Sequence, residues 1–402
     1  MKSNSFIFFN QFICLVVLIF ATSCFPRYRI MNQDMLFSLD IGKMENEFYL
    51  SVLPQETRVV RDNYVNQNGL FYISNSHINK VMVVSPFGDL ITLFYDPKIN
   101  PSPVLLNNQH DQDVVFNLNA YPHDFINIGL ICSNKKNHIF IEDELFPNSP
   151  QKDATSGISF NRVIKWFDNN GEYLNYIGQE GLGGTPFSHI SALFMGNKDR
   201  LSVVCKEQNL WKIFIYDSSG KLIHSIVFDD KISPWNTGDD IVFSEDVLVD
   251  YACSKILVKV NSYERNYIGS DEHIGSINFK ETAIWVYNIN EAQFVSQFSL
   301  PRKFIQIEGY TPHVVLYDLI GFDKYTNLYF IAPYQDELYD LLVVNVQGKT
   351  IGKTRLKIDK RNLYFNQFYV SEDGIISSLL GYDEKVYFHQ WRLASFFKRI
   401  RK

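Results

Sequence analysis

The segment LWKIFIYDSSGKLI, Leu210 to Ile223, decides the fold of this chain. An apolar run rich in Ile, Phe and Tyr leads into a short polar turn that contains glycine, and a second apolar run follows. This order is typical of two β-strands joined by a tight hairpin. The same pattern recurs as NKVMVVSPFGDLI from Asn79, NRVIKWFDNNGEYL from Asn161, TAIWVYNINEAQFV from Thr282 and DLLVVNVQGKTI from Asp340. Recurrence along a chain indicates an array of similar small units.

Each unit contains more than this hairpin. A further strand-like run precedes the turn pattern, as in GLFYIS at Gly69 and RLSVVC at Arg200, and another apolar stretch precedes that run. A sixth unit shows GIISSL at Gly374 and KVYFHQWRL at Lys385. No long helical periodicity is present. The pattern therefore predicts an all-β chain of six units, each a meander of strands A, B, C and D.

Six four-stranded units predict a six-bladed β-propeller. The third unit resembles the NHL type of propeller repeat, because a glycine-rich loop from Gly178 to Gly184, then Pro186 and Phe187, precedes RLSVVC and IFIYDSSGKL. This resemblance implies a fold and hardly constrains function. The alternative is a ring of seven blades, with the additional blade between Asp96 and Tyr121.

The two ends of the chain are expected to close the ring. No glycine turn follows Leu393, so the sixth unit lacks its strand D. The segment from Met35 to Leu50 precedes the first full unit and contains apolar residues suited to a strand. We expect it to supply the outer strand of blade six, which would remove an open sheet edge.

The N-terminal segment predicts export. Lys2 precedes a short apolar run, and the small residues Ala21, Thr22 and Ser23 lead to Cys24. This arrangement resembles a bacterial lipoprotein signal, with a loose cleavage motif similar to those of spirochaetes. The resemblance implies a signal peptide over 1–23, a lipidated tether over 24–34 anchored through Cys24, and a propeller over 35–402. It also implies an exported protein, anchored by lipid in the bacterial cell envelope on the periplasmic face or the outer membrane.

Charge and cysteine content exclude several classes of protein. The net charge is −6, whereas a general nucleic-acid-binding protein would be strongly basic, so we expect no nucleic-acid partner. Cys132, Cys205 and Cys253 lie in or beside apolar stretches without CxxC or zinc-finger spacing. We expect them to be buried free thiols.

Long insertions are predicted to share one face of the ring. In a meander, the D–A and B–C loops lie on the same face. Insertions at 97–121, 143–160 and 261–278, and the glycine-rich loop at 178–186, all belong to these two classes. Binding residues concentrate on loops carried by a rigid scaffold. Aromatic side chains in loops suit contacts with a protein or peptide, and the candidates here are Tyr121, Phe146, Trp235, Tyr263 and Tyr267. We therefore expect a non-enzymatic scaffold that binds a protein or peptide through this face.

Histidines suggest an alternative. His123 and His313 each follow a proline and lie at matching distances before a strand B, which would place both at the channel mouth. His189 is offset, and Asp124 could orient His123. Three histidines at a channel would resemble the zinc site of NHL-type peptidyl-hydroxyglycine lyases and imply a metal-dependent hydrolase or lyase.

Other signals of chemistry are weak. Glu245 and Asp246 could hold calcium, as carboxylates do in lactonase-type propellers. The sequence lacks the GxSxG, HExxH and Walker motifs. We therefore expect no cofactor, with zinc or calcium as the alternatives.

Overall fold

The structure is a computed structural model. It describes residues 30–50, 61, 63–104, 119–145, 151–152, 157–229, 240–268, 273–305, 312–335 and 337–393. The predicted signal peptide, Cys24, Phe146 and Trp235 lie outside the described residues. Among the described residues, no helix has the length and apolarity needed to cross a membrane.

The chain forms a six-bladed β-propeller, as predicted. In each blade, strand A lines the central channel and strands B, C and D follow outward as an antiparallel meander. Blade one comprises Asn63–Gln67, Leu70–Asn75, Lys80–Val84 and Leu90–Tyr95. Blade two comprises Ile131–Ser133, Ile139–Glu144, Arg162–Phe167 and Tyr173–Gly178. Blade three comprises Ile190–Met195, Leu201–Glu207, Leu210–Tyr216 and Leu222–Asp229.

The second half of the ring repeats this order. Blade four comprises Ile241–Val249, Lys255–Ile268, His273–Asn288 and Gln293–Ser299. Blade five comprises Asp318–Phe322, Leu328–Gln335, Leu338–Val344 and Thr350–Lys357. Blade six comprises Phe365–Val370, Ile376–Gly381, Lys385–Trp391 and, as its outermost strand, Asp34–Asp40.

Short elements complete the described structure. Blades one, two and five each gain a fifth strand, respectively Asn119–Pro122, Gly181–Leu182 and Ile30–Met31. Two isolated strand pairs are Gln151–Lys152 with Ser159–Phe160, and Lys303–Ile305 with His313–Val315. The 3₁₀ helices are Ser76–Ile78 and Asn197–Asp199.

The ring closes through the N-terminal strand, which confirms the prediction. Asp34–Asp40 runs antiparallel to strand C of blade six, from Asp34 opposite Gln390 to Asp40 opposite Lys385. Phe37 of this strand stacks on Phe388 of blade six, with a ring-centroid distance of 4.4 Å. The closing strand therefore joins the two ends of the chain by backbone pairing and by a buried aromatic contact.

The seven-blade alternative is wrong. Within the described part of the segment from Asp96 to Tyr121, strand structure begins only at Asn119. Asn119–Pro122 pairs in parallel with Leu90–Tyr95 and so adds a fifth strand to blade one. The described strand of this segment therefore extends blade one and does not begin a separate blade.

The repeated turn has a clear local cause, seen in the segment that identified the repeat. Asp217 Oδ1 accepts hydrogen bonds from the backbone amides of Ser219, at 2.9 Å, and Lys221, at 3.1 Å. Gly220 has φ +79°, a conformation that an L side chain disfavours. An acceptor side chain followed three residues later by glycine is therefore what this hairpin requires.

The hydrophobic core is divided among the interfaces between neighbouring blades. For example, Tyr64 and Phe71 of blade one pack with Leu379 and Phe388 of blade six. Such burial is possible because alternate residues of each strand point to opposite sheet faces, and each face meets an adjacent blade. Cys132, Cys205 and Cys253 are free and buried, as predicted.

One predicted loop is regular structure instead. The insertion at 261–278 was expected to be an irregular B–C loop. The structure shows strands B and C of blade four continuing through most of it, with paired residues from Asn261 opposite Thr282 to Ile268 opposite His273. Blade four therefore carries a projecting β-hairpin on the face of the D–A and B–C loops, which we call the loop face.

Candidate functional site

His123 lies away from the channel, contrary to the prediction. Its backbone amide donates to the carbonyl of Tyr95, so the residue continues the fifth strand of blade one. Its ring packs against Phe167 and Tyr173 of blade two, and Nε2 is 3.0 Å from Lys165 Nζ. Burial, and then the charge of Lys165, lower the pKa of His123 to about 4. His123 is thus a neutral packing residue in the outer part of blade two.

The other candidates lie apart from His123. Asp124 is exposed and forms an ion pair of 3.1 Å with Lys98. His189 is exposed and immediately precedes strand A of blade three, while His313 is exposed and pairs with Ile305. In the part of the chain that the structure describes, no group of three or more His, Cys, Asp or Glu side chains is arranged to hold a metal ion.

The pair proposed for calcium is engaged by a lysine. Lys259 Nζ lies 2.6 Å from Glu245 Oε2 and 3.5 Å from Asp246 Oδ2. Burial raises the pKa of Asp246, and Lys259 opposes this increase. An ammonium group therefore occupies the position beside these carboxylates where a cation would bind.

A charged cluster that was not predicted lies at the loop-face end of the channel. Arg61, which precedes strand A of blade one, forms an ion pair with Glu142 of blade two and donates to the carbonyl of Ile190 of blade three. Glu142 is fully buried, and a second arginine, Arg162, lies 3.7 Å from it. Burial raises the pKa of Glu142, and the two arginines oppose that increase. This cluster joins three blades across the loop-face end of the channel. The sequence feature that could have predicted this cluster is the acidic pair at the end of the apolar run NHIFIED.

The projecting hairpin of blade four carries a row of aromatic rings. Phe243 of strand A packs edge-on against Tyr263 of strand B at 5.9 Å, and Tyr263 packs edge-on against Phe279 of strand C at 5.7 Å. Cross-strand aromatic contacts of this kind stiffen a sheet. Phe243 is 55% exposed and Ile277, two residues from Phe279 on the same strand, is 53% exposed. The row therefore combines a fixed position with accessible apolar surface.

A crevice separates this row from a short hairpin in the D–A connection before blade five. Lys303–Ile305 and His313–Val315 form the short hairpin. The crevice is narrow, with a volume of about 10 Å³, and it is lined by Phe279, Thr282, Leu300, Pro301, Arg302, Lys303, Val315 and Tyr317. His313 belongs to the same alternating set as Val315, so the pleat places it on the crevice side. We call this crevice, together with Phe243, Tyr263 and Ile277, the hairpin groove.

The aromatic candidates are placed as follows. Tyr121 lies on the fifth strand of blade one, with its ring 5.3 Å from that of Phe94, and so belongs to a sheet instead of a loop. Tyr263 is half-buried within the aromatic row, and Tyr267 is 43% exposed farther along the same strand. The hairpin groove therefore uses one of the predicted aromatic residues, with Phe243 and Phe279 as additions.

Comparison with known proteins finds solved structures that are similar only at low sequence identity. No protein-family model and no curated protein matches the chain. The Dos1 propeller is similar at 12% identity over 89% of this chain and 74% of that one, with a TM-score of 0.36. The β-propeller domain of the Trilobed protease from Pyrococcus furiosus is 9% identical over 67% and 82% of the two chains, with a TM-score of 0.35. A gluconolactonase from Xanthomonas campestris is 8% identical over 80% and 82%, with a TM-score of 0.37.

Proposed function

We propose that the protein is a lipid-anchored, non-enzymatic scaffold of the bacterial cell envelope that binds an extended peptide segment of a partner protein. The peptide would run along the hairpin groove on the loop face of blades four and five, with its backbone beside the projecting hairpin and outside the narrow crevice. The observation that carries this proposal is the aromatic row Phe243–Tyr263–Phe279, held on a hairpin that projects beyond its blade. Rigid aromatic residues beside exposed apolar surface are typical of binding hot spots.

The backbone of the hairpin supports binding of an extended segment. Strand D of blade four pairs with strand C only from Ala283 to Asn288. Among the described residues, the outer edge of the projecting part, His273 to Glu281, therefore has no neighbouring strand. An open edge presents amides and carbonyls that another chain can pair with. Strand addition to such an edge is a common mode of peptide recognition.

Side chains beside this edge would select the peptide. Phe279 reaches the crevice, and Ile277 lies on the same sheet face because residues two apart on a strand share a face. Across the crevice, Lys303 and Arg355 both form ion pairs with Asp340. Because Phe279 and Ile277 share one sheet face beside the open edge, we expect the peptide to present alternating apolar side chains to the groove.

The lipid anchor is supported by the order of residues before Cys24, in which an apolar run ends at Ala21, Thr22 and Ser23. Metabolic labelling with radioactive palmitate tests it. We expect label on the wild-type protein and on Cys14→Ser, and none on Cys24→Ser. Label on the Cys24→Ser protein would contradict the anchor.

Photo-crosslinking tests the binding face. A benzoylphenylalanine residue in place of Ile277 should give one discrete adduct in intact cells, and Phe279→Ser in the same chain should abolish it. The matched control replaces Phe87, which is 85% exposed on the C–D turn of blade one, on the opposite face. Equal adducts from both positions, or none from Ile277, would overturn the proposal.

A further inference from the structure

The central channel contains a cavity that the proposed function does not use. Its volume is about 270 Å³, and strands A of five blades contribute to its wall. The middle of the wall is apolar and is formed by Val65, Cys132, Phe194, Ile320, Phe322 and Tyr369. A cavity of this size and lining suits the apolar body of a small molecule.

Polar side chains cross the channel toward the loop face. Gln367 Nε2 of blade six donates to Asn63 Oδ1 of blade one at 3.0 Å. Arg61 extends from blade one to the carbonyl of Ile190 on blade three. These contacts narrow the end of the channel that faces the hairpin groove, so the opposite mouth is the better route of entry.

At that opposite mouth, three side chains from alternate blades converge. Lys135 of blade two, Tyr251 of blade four and Glu372 of blade six all line the cavity here, and Lys135 Nζ lies 5.8 Å from the centre of the Tyr251 ring. The backbone amide of Lys135 also donates to Asp199 Oδ1 of blade three, at 3.2 Å. Lys135, Asp199, Tyr251 and Glu372 all line the cavity. The lining is therefore polar at this mouth and apolar in the middle of the channel.

The charges at this mouth favour a cation. The pKa of Lys135 is raised, first by the neighbouring Tyr251 hydroxyl and then by the charges of Glu372 and Asp199. The pKa of Lys324, which also lines the mouth, is raised by Asp373 and more weakly by Glu372. Both lysines are exposed, so these effects are screened by solvent. The composition of the mouth agrees with this direction, because Asp199, Asp323 and Glu372 place three carboxylates beside the two lysines in the cavity lining.

We propose that the channel binds a small primary amine with a compact apolar body. The body would occupy the apolar belt, and the ammonium group would bind Glu372 and the Tyr251 hydroxyl. The ligand would thereby take the place of the Lys135 ammonium, which is exposed and free to turn into solvent. Hydrogen bonds to charged groups are stronger than those between neutral groups, so the ammonium head group determines which ligand the channel prefers.

Isothermal titration calorimetry on the full-length chain tests this proposal. The three ligands share a phenyl group and differ in their polar head group: 2-phenylethylamine, 2-phenylethanol and phenylacetate. We expect the amine to bind about tenfold more tightly than the alcohol, and the carboxylate most weakly. Tightest binding by phenylacetate, or no saturable binding of the amine, would overturn the proposal.

Variants assign the binding to the mouth. Glu372→Gln should weaken amine binding about tenfold and leave the alcohol unchanged. Glu172→Gln, on an exposed turn of blade two, is the matched control and should change neither. Lys135→Met should strengthen amine binding, because it removes the lysine ammonium that competes with the ligand. Lys135 is at an exposed position. Unchanged amine affinity in both Glu372→Gln and Lys135→Met would contradict the assignment.

Discussion

Replacing Phe37 with alanine should destabilise the closed ring strongly. Phe37 lies on the closing strand and is 6% exposed. Its ring stacks on Phe388 of blade six at 4.4 Å and packs edge-on against Phe71 of blade one at 5.2 Å. The substitution removes both aromatic contacts and leaves a cavity where the two chain ends meet the first blade.

The expected loss follows from the size of that cavity. Truncation of a buried phenylalanine to alanine lowers the free energy of unfolding by about 3–5 kcal/mol, which includes the lost transfer energy and the cost of the cavity. Phe87→Ala is the matched control, because Phe87 is 85% exposed and its truncation should change stability by less than about 0.5 kcal/mol.

Guanidinium unfolding, followed by tryptophan fluorescence and near-ultraviolet circular dichroism, measures both variants. Agreement between the two signals is required, because large chains can unfold through intermediates. The structure indicates that the closing strand contributes to the core. A decrease in the free energy of unfolding of less than about 1 kcal/mol for Phe37→Ala, or no larger than that for Phe87→Ala, would contradict this.

Two further predictions concern buried charge and backbone conformation. Burial lowers the pKa of Lys80 to about 7 from its usual 10.5, so folding releases a proton between these values and the free energy of unfolding should rise with pH from about 7 to 10.5. Lys80→Met should flatten that rise in unfolding curves measured across this range, and an unchanged slope would contradict the assignment. Gly171 has φ +80°, and an added Cβ would lie 2.2 Å from the Tyr121 ring, so Gly171→Ala should cost about 1–3 kcal/mol in thermal or chemical unfolding. Gly69→Ala, with φ +79° and no heavy atom within 4 Å of the added Cβ, should cost only the backbone part, and equal losses would exclude the steric contribution.

Much of the fold could be predicted because it follows from local patterns. The turn that Asp217 and Gly220 form is encoded within a few residues, and so is the alternation of each strand. The closing strand was predictable because blade six lacked a strand and the N-terminal segment offered one. Such inferences need only the period of the repeat and the cost of an open sheet edge.

The projecting hairpin could not be predicted in the same way. Its residues, such as Glu264, Arg265 and Asn266, are exposed on both sheet faces and so lack the apolar alternation that marks a half-buried strand. They form strands because they continue the pairing begun in blade four. The segment was therefore interpreted as a loop, although its location on the loop face was correct.

The histidines predicted for the channel show that matching distances along the sequence do not guarantee matching positions in the fold. His123 and His313 lie at matching distances before strand B, yet His123 is drawn outward because the preceding residues pair with Leu90–Tyr95. Arg61 and Glu142 meet only because the ring brings blades one and two together. Contacts of this kind depend on tertiary geometry and leave no short motif in the sequence.

Hydrogen exchange of the purified complex with the crosslinked partner tests the central claim most directly. Strand addition at the hairpin groove should protect the outward-facing backbone amides between Gly275 and Glu281. Amides of strand D in blade three, Leu222–Asp229, should exchange at the same rate with and without the partner. Contact through side chains alone, or binding elsewhere, would leave exchange at the hairpin edge unchanged, and that result would contradict the account.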